Sequence, residues 1–381
     1  MIKIGIRNNL FFPFMSIIFT YARKIETILM GKIIGFNGSL LLTLIMFLSE
    51  IISGIIFFLY EKKYFTLPKK RKTVMSLEIK LKENSDEIKP NDTQLTIYLY
   101  TFVIAYIDFF EFMVDTLYIP KYKNISDSLF IRLKTILTLC SGIISLFLLK
   151  FSIYKHQKFS LLMIFFCLIS VIIVEYIFME SNTNFFFVLF LIFMNYFFDS
   201  FFDVIEKYLL DFDFINRFKL IFLEGIFGFI LTSFYSFVEN PFKEIKAVYE
   251  EKKYKFYLLI NFLVIYFLLC AGRNIYRVMT NKMYFPITRS LTDSILDPLL
   301  LIYYYLFEND FYIKSKNEQN IIFFLINLFL SLTFVFFGCV YNEVLVLQCC
   351  ELDYDTYYQV SRRATSSEVD EMELIENLKL Y

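Results

Sequence analysis

The sequence predicts an all-α membrane protein with about ten transmembrane helices. Three observations lead there. Of the 381 residues, 57% are hydrophobic and only 20% charged, with a mean hydropathy of +0.56; a soluble domain averages about 45–50% apolar and about 25% charged. Fifty Phe and 28 Tyr make up most of the aromatic excess, which is more than one aqueous core can bury. Finally, apolar runs long enough to cross a hydrocarbon layer of about 30 Å recur between charged breaks.

Taken in order, the runs are 4–21, 37–60, 95–119, 128–150, 158–179, 185–207, 218–238, 254–277, 284–307 and 320–342. The first is the weakest, because Pro13 interrupts it and Lys3 and Arg7 sit at its start. No small-residue cleavage site follows it, so it reads as a span and not as a signal peptide. Lys and Arg concentrate on the side of the chain's N-terminus, and residues 61–93 alone hold nine of them. By the positive-inside rule this places both termini in the cytosol. Arg273, Arg277 and Lys282 enter that tally as loop charges after the eighth run.

Lys+Arg and Asp+Glu balance at 38 each, so no basic field exists to hold nucleic acid. The six Cys, at 140, 167, 270, 339, 349 and 350, show no CxxC pair, and His156 is the sole histidine, expected to be exposed in a loop. A metal site needs clustered Cys and His, and a triad needs a placed His. No metal, cofactor or enzymatic role is therefore expected. Two segments read as soluble. Residues 61–93 carry Pro68-Lys69-Lys70-Arg71-Lys72, a positive-inside anchor. The tail after Glu343 holds Arg362-Arg363-Ala364-Thr365, shaped like a basophilic kinase site, and Asp370-Glu-Met-Glu-Leu374-Ile375, shaped like an acidic dileucine sorting signal. The latter points to a Golgi, endosomal or lysosomal membrane.

Charges inside the apolar runs are the functional signal, because an ionisable group at mid-bilayer costs roughly 2.5–3.5 kcal/mol on insertion scales. Asp108, Glu111 and Asp115 share one face of the third run, and Asp199, Asp203 and Glu206, followed by Lys207, share one face of the sixth. Arg132 and Lys134 open the fourth run; Arg289, Asp293 and Asp297 recur at intervals of four in the ninth. Such groups neutralise one another in pairs, carry protons, or line a water-filled path whose bases hold an anionic solute. Glu50 and Glu224 each stand alone among apolar neighbours, and are expected either to hydrogen-bond to another helix or to hold a proton. Gly225 and Gly228 permit close helix approach.

Several stretches resemble the drug/metabolite transporter superfamily, most closely its solute carrier family 35 F-type branch, which is related to the nucleotide-sugar transporters. They are Ile205-Glu206-Lys207-Tyr208 followed by Leu223-Glu224-Gly225-Ile226-Phe227-Gly228-Phe229, Met46-Phe47-Leu48-Ser49-Glu50, Thr288-Arg289-Ser290-Leu291-Thr292-Asp293-Ser294, and Tyr341-Asn342-Glu343. The resemblance implies two inverted five-helix repeats, 1–180 and 181–343, followed by a cytosolic acidic tail, 344–381. It also implies a substrate held between the halves during alternating access.

On this reading Arg289, with Lys134 or Arg132, neutralises a phosphate or carboxylate; Lys207 and Asp293 are further candidates for the solute. Asp108, Glu111, Asp115, Asp199 and Asp203 serve proton coupling or charge pairing, while Glu50, Glu224, Gly225 and Gly228 brace the bundle. The expected function is secondary transport of an organic metabolite, anionic or nucleotide-linked. A non-transporting scaffold or receptor-like protein is the alternative. The expected partners are a small-molecule solute and the lipid bilayer, not nucleic acid, and a homodimer is left open.

Overall fold

A computed structural model describes residues 2–4, 11–36, 38–64, 94–113, 127–150, 153–178, 185–213, 215–238, 240, 242–251, 253–307, 317–348, 352–354, 356 and 359. Asp115, the basic run Pro68–Lys72, Cys349, Cys350 and both tail motifs lie outside them. The described residues are almost entirely helical. A helix, or a broken pair of helices, occupies each of the ten predicted positions. Six are long and apolar enough to cross a membrane: Leu129–Leu148, Lys155–Phe178, Phe185–Asp211, Arg217–Tyr235, Tyr254–Met283 and Ile321–Tyr341.

The described residues fall into two compact units, each drawn from separate stretches of chain. The larger lies within Phe11–Ile125 and Phe186–Leu296; the smaller lies within Met1–Leu10, Ser126–Phe185 and Asp297–Tyr381.

In the larger unit, α1 (Phe11–Ile34) runs well past the predicted end at residue 21. Pro13 does not interrupt it. It sits in the first turn, where backbone N–H groups have no intrahelical acceptor to lose. Gly35, at φ 78°, ends the helix, its N–H donating to the Gly31 carbonyl at 3.0 Å; the left-handed conformation there suits glycine. α2 (Ser39–Tyr64) and α3 (Gln94–Met113) follow. After α7 (Phe185–Asp211), Asn216 caps α8 (Arg217–Tyr235) by accepting from the Phe218 N–H at 2.9 Å. The short polar helix α9 (Lys243–Glu251), read from the sequence as a loop, precedes α10 (Lys253–Met283).

The ninth predicted run is not one helix. α11 (Pro286–Thr292) stops, the chain turns through residues 293–296, and helix resumes at Asp297. Pro298 is the cause: it has no N–H to give, and its ring clashes with the carbonyl four residues back. α1 satisfies the freed backbone. The Tyr21 hydroxyl donates to the Asp293 carbonyl at 3.0 Å and accepts from the Leu296 N–H at 3.1 Å. Polar side chains of this kind are what make a helix break tolerable at membrane depth.

Within this unit α2 packs on α8, α3 and α10; α8 also meets α3 and α10; α1 lies on α10 and α11. Leu209, Leu220, Ile221, Ile104 and Val278 tie α7, α8, α3 and α10 together, and Met30, Leu41, Leu259 and Cys270 tie α1, α2 and α10. The outward faces are apolar: Phe186 is 72% exposed, Leu268 59% and Ile230 45%. Apolar outside and charged inside is the reverse of a water-soluble helical bundle. This pattern and the long apolar helices fit an integral membrane protein.

In the smaller unit, α4 (Asp127–Leu133) and α5 (Thr135–Leu148) meet at a turn on Lys134. α6 (Lys155–Phe178) packs on α5 and on α13 (Asn317–Tyr341), and α12 (Asp297–Phe307) packs on α4 and α13. Two short elements among the described residues are strands. Residues Ile2–Ile4 (β1) pair antiparallel with Leu345–Leu347 (β2), Lys3 opposite Val346. The predicted span from residue 4 thus begins in a strand, and the helix starts at Phe11.

Candidate functional site: the charged interior of the larger unit

Four helices bring ionisable side chains to one buried place in the larger unit. α7 supplies Asp203 and Glu206, α8 supplies Glu224, α2 supplies Glu50 and α10 supplies Asn274, Arg277 and Asn281; each is at most 3% exposed. Arg277 Nη2 donates to Glu224 Oε2 at 2.8 Å and to Glu206 Oε1 at 3.5 Å. The Asn281 amide donates to Glu206 Oε2 at 2.6 Å and to the Asp203 carbonyl at 3.0 Å. One turn earlier on α10, Asn274 Nδ2 donates to Glu50 Oε1 at 2.8 Å. Both isolated glutamates of the sequence thus find partners on a third helix.

Arg289, on α11, is ion-paired with Asp203 and is 2% exposed. Its guanidinium and that of Arg277 lie 5.4 Å and 4.6 Å from the Phe202 ring centroid. Cation–π contact of this kind supports a desolvated guanidinium between its carboxylates. Asp293 accepts from Thr20 Oγ1 at 3.3 Å. Half-buried Asp108, Asp199 and Arg273 lie around the cluster, within electrostatic reach of one another. Glu111 is half-buried on the same helix as Asp108. At the end of α7, Lys207 pairs with Asp211 at 2.9 Å and donates to the Lys282 carbonyl at 3.1 Å; Lys282 in turn reaches Asp211 at 3.2 Å.

The geometry depends on close approach of α2 and α8. A Cβ at Gly225 would lie 2.8 Å from the Ile51 nitrogen and 2.9 Å from both the Phe47 carbonyl oxygen and Glu50 Cβ. One at Gly54 would meet the Phe222 backbone at 2.9 Å, and one at Gly228 would enter the Phe47 ring. Glycine is required here for helix contact, not for turn formation. This close crossing holds Glu50 and Glu224 beside the polar face of α10.

The sequence places Arg273 and Arg277 in a loop after the eighth span; the structure corrects this. α10 continues to Met283 and buries Arg277 between three helices. The signal was present in the spacing: Asn274, Arg277 and Asn281 recur at three and four, one stripe of a continuing helix.

The remaining predicted bases belong to the smaller unit. Arg132 is paired with Glu175, with Nη2 to Oε2 at 3.1 Å, and Lys134 faces Asp297 at 3.6 Å. A cavity of about one water lies beside them, lined by Thr135, Asp297, Asn327 and Ser331 among others. His156, expected to be exposed, is 2% exposed. It occupies the first turn of α6, stacked on Tyr154, with Nε2 3.5 Å from Glu343 Oε1. No group of three or more His, Cys, Asp or Glu that could hold a metal ion occurs among the described residues. No known family model matches the chain, and no curated protein does.

Proposed function

We propose that the chain is a secondary transporter that moves an organic metabolite by alternating access of its charged interior. The observation that carries this reading is the cluster of Glu50, Glu206, Glu224, Arg277 and the Asp203–Arg289 pair, buried among helices of which α7, α8 and α10 are long and apolar enough to cross a membrane. Ionisable groups are costly at that depth and persist chiefly along solute or proton paths.

The pattern of helix contacts supports the repeat that the resemblance implies. Numbering the ten predicted runs in order, runs four and five share a unit with nine's second part and ten, while one to three share a unit with six to eight. Several contacts exchange under a shift of five, whereas the extensive packing of α1 on α10 has no comparably close counterpart between α7 and α3. α3 on α8 matches α10 on α2, α2 on α3 matches α8 on α10, and α5 on α6 matches α12 on α13. The pairs α2–α8 and α6–α13 map onto themselves. The fourth run is interrupted at Lys134 alone, and the ninth through residues 293–296. At the centre, Glu50-x-x-x-Gly54 on α2 faces Glu224-x-x-x-Gly228 on α8. Five is odd, so two such repeats crossing a membrane in series have opposite orientations, the arrangement of alternating-access transporters.

Each basic residue first assigned to an anionic solute has a carboxylate partner: Arg289 with Asp203, Arg132 with Glu175, Lys134 with Asp297 and Lys207 with Asp211. The solute panel is therefore not restricted to anions. Purified full-length protein is to be screened by thermal unfolding against nucleotides, nucleotide sugars, organic anions and organic cations. A ligand at about a hundred times its Kd adds roughly 2.7 kcal/mol to the folded state, a rise of several degrees in Tm. The expected result is one solute class that raises Tm and exchanges across proteoliposomes. A stabilising ligand that binds but never crosses would favour a receptor.

A further inference from the structure

We propose that Glu50 carries an exchangeable proton and is the coupling site of the transport cycle; this rests on the transporter reading above. Among the carboxylates at the centre of the larger unit, Glu206 and Glu224 bond Arg277, and Asp203 pairs with Arg289. Among the described residues, Glu50 has no cation within ion-pair distance. It is 0% exposed, its Oε1 accepts from the neutral Asn274 amide alone among them, and its Oε2 has no described partner. A carboxyl in that setting has one oxygen satisfied as an acceptor and the other free for the O–H of the acid form.

The charge balance points the same way. The groups facing Glu50 from the surrounding helices are Arg277 and Arg273 on α10, Asp108 on α3, Glu206 on α7 and Glu224 on α8. With Glu50, that is four carboxylates against two guanidiniums. The next layer adds Asp199, Asp203 and Asp293 against Arg289 and Arg23. The Lys207–Asp211–Lys282 group at the end of α7 returns one positive charge, and carboxylates still exceed cations. Net charge in a desolvated interior is neutralised by a proton or a bound cation. Glu50 is fully buried and has no counterion among the described residues, so a proton binds there without breaking an existing ion pair; Asp108 and Asp199, also outside any ion pair among them, are only half-buried.

Glu50 also sits where a proton could report on conformation. Its Cβ lies against the Gly225 position at the α2–α8 crossing, the contact that maps onto itself between the halves. Movement of one helix against the other therefore alters the surroundings of this carboxyl directly.

The test uses the wild-type full-length protein in detergent and a hydrophobic carbodiimide, which modifies buried carboxyl groups in their protonated form. Labelling is located by peptide mass spectrometry at about pH 6 and about pH 9, in sodium and in choline buffers. The expected result is modification at Glu50, slowing roughly tenfold per pH unit once the carboxyl ionises. Glu206, Glu224 and Asp203 stay unlabelled, and sodium gives the same rate as choline. The label disappears from position 50 in E50Q, whose Tm stays near wild type. A Glu50 that is unmodified at each pH, or modified at a pH-independent rate, would overturn the proposal. Suppression by sodium would replace the proton with a metal cation. No solute enters this experiment, so the two readings fail separately: labelling without flux removes the transporter, and flux without labelling removes the proton site.

Discussion

Arg277→Met is expected to cost the protein about 3–5 kcal/mol, the range for removing one partner of a buried ion pair. The side chain is 4% exposed and bonds Glu224 and Glu206 from two different helices. Methionine fills much of the volume but leaves two carboxylates facing each other without a cation. The loss is therefore mainly electrostatic, and two controls separate it from packing. In Arg277→Met with Glu224→Gln, part of the stability returns, because one uncompensated charge has been removed. The deficit of the single variant also narrows as pH falls, since a protonated carboxyl needs no counterion. Apparent Tm in detergent between about pH 5 and pH 8 reads both. A variant with wild-type Tm at neutral pH would mean that Arg277 does not hold these helices together.

The second large effect is expected at the crossing of α2 and α8. Gly225→Leu adds a side chain where even a Cβ meets the Ile51 nitrogen and the Phe47 carbonyl oxygen at 2.8 and 2.9 Å. Those atoms are backbone, so no rotamer change relieves the clash and the helices must separate. Overpacking typically costs about 1–3 kcal/mol; with backbone against backbone, the upper end or above is expected. Separation also moves Glu50 and Glu224 relative to α10 and weakens the Asn274 and Arg277 bonds. Gly225→Ala should show a smaller loss of the same kind, and Ile230→Ala, on the lipid-facing side of α8 at 45% exposure, little change. Measured Tm values in the order Ile230→Ala, Gly225→Ala, Gly225→Leu, from highest to lowest, would agree with this packing. Equal values would contradict it.

The apolar helices were legible in the sequence because lipid imposes one simple pattern, a run of about 20 apolar residues. The acidic faces of α3 and α7 were legible too, because carboxylates within apolar runs are conspicuous. Their partners were not. Arg273 and Arg277 stand near the end of an apolar run, where Lys and Arg ordinarily mark a cytosolic flank. The 274–277–281 stripe competes with that pattern and is decided only by the length of α10. The break at Asp293–Leu296 was hidden for a related reason. Apolar content continues across it, and only Pro298 marks the stop. His156 looked like a loop residue because its burial comes from Tyr154 and from Glu343, almost 190 residues away. The correspondence of Glu50-x-x-x-Gly54 with Glu224-x-x-x-Gly228 is visible in the sequence once the repeat is assumed, but has no local signal of its own.

The most direct test of the account is accessibility of the interior from the two sides of the membrane. Ser200, on the polar face of α7 one turn before Asp203, is 0% exposed. In a background without native cysteines, Ser200→Cys is to be treated in sealed vesicles of each orientation with a membrane-impermeant thiol reagent. Alternating access predicts labelling from both sides, with a bound solute changing the two rates in opposite directions. Labelling from one side only, or from neither, would contradict it and leave a closed charged bundle with no transport path.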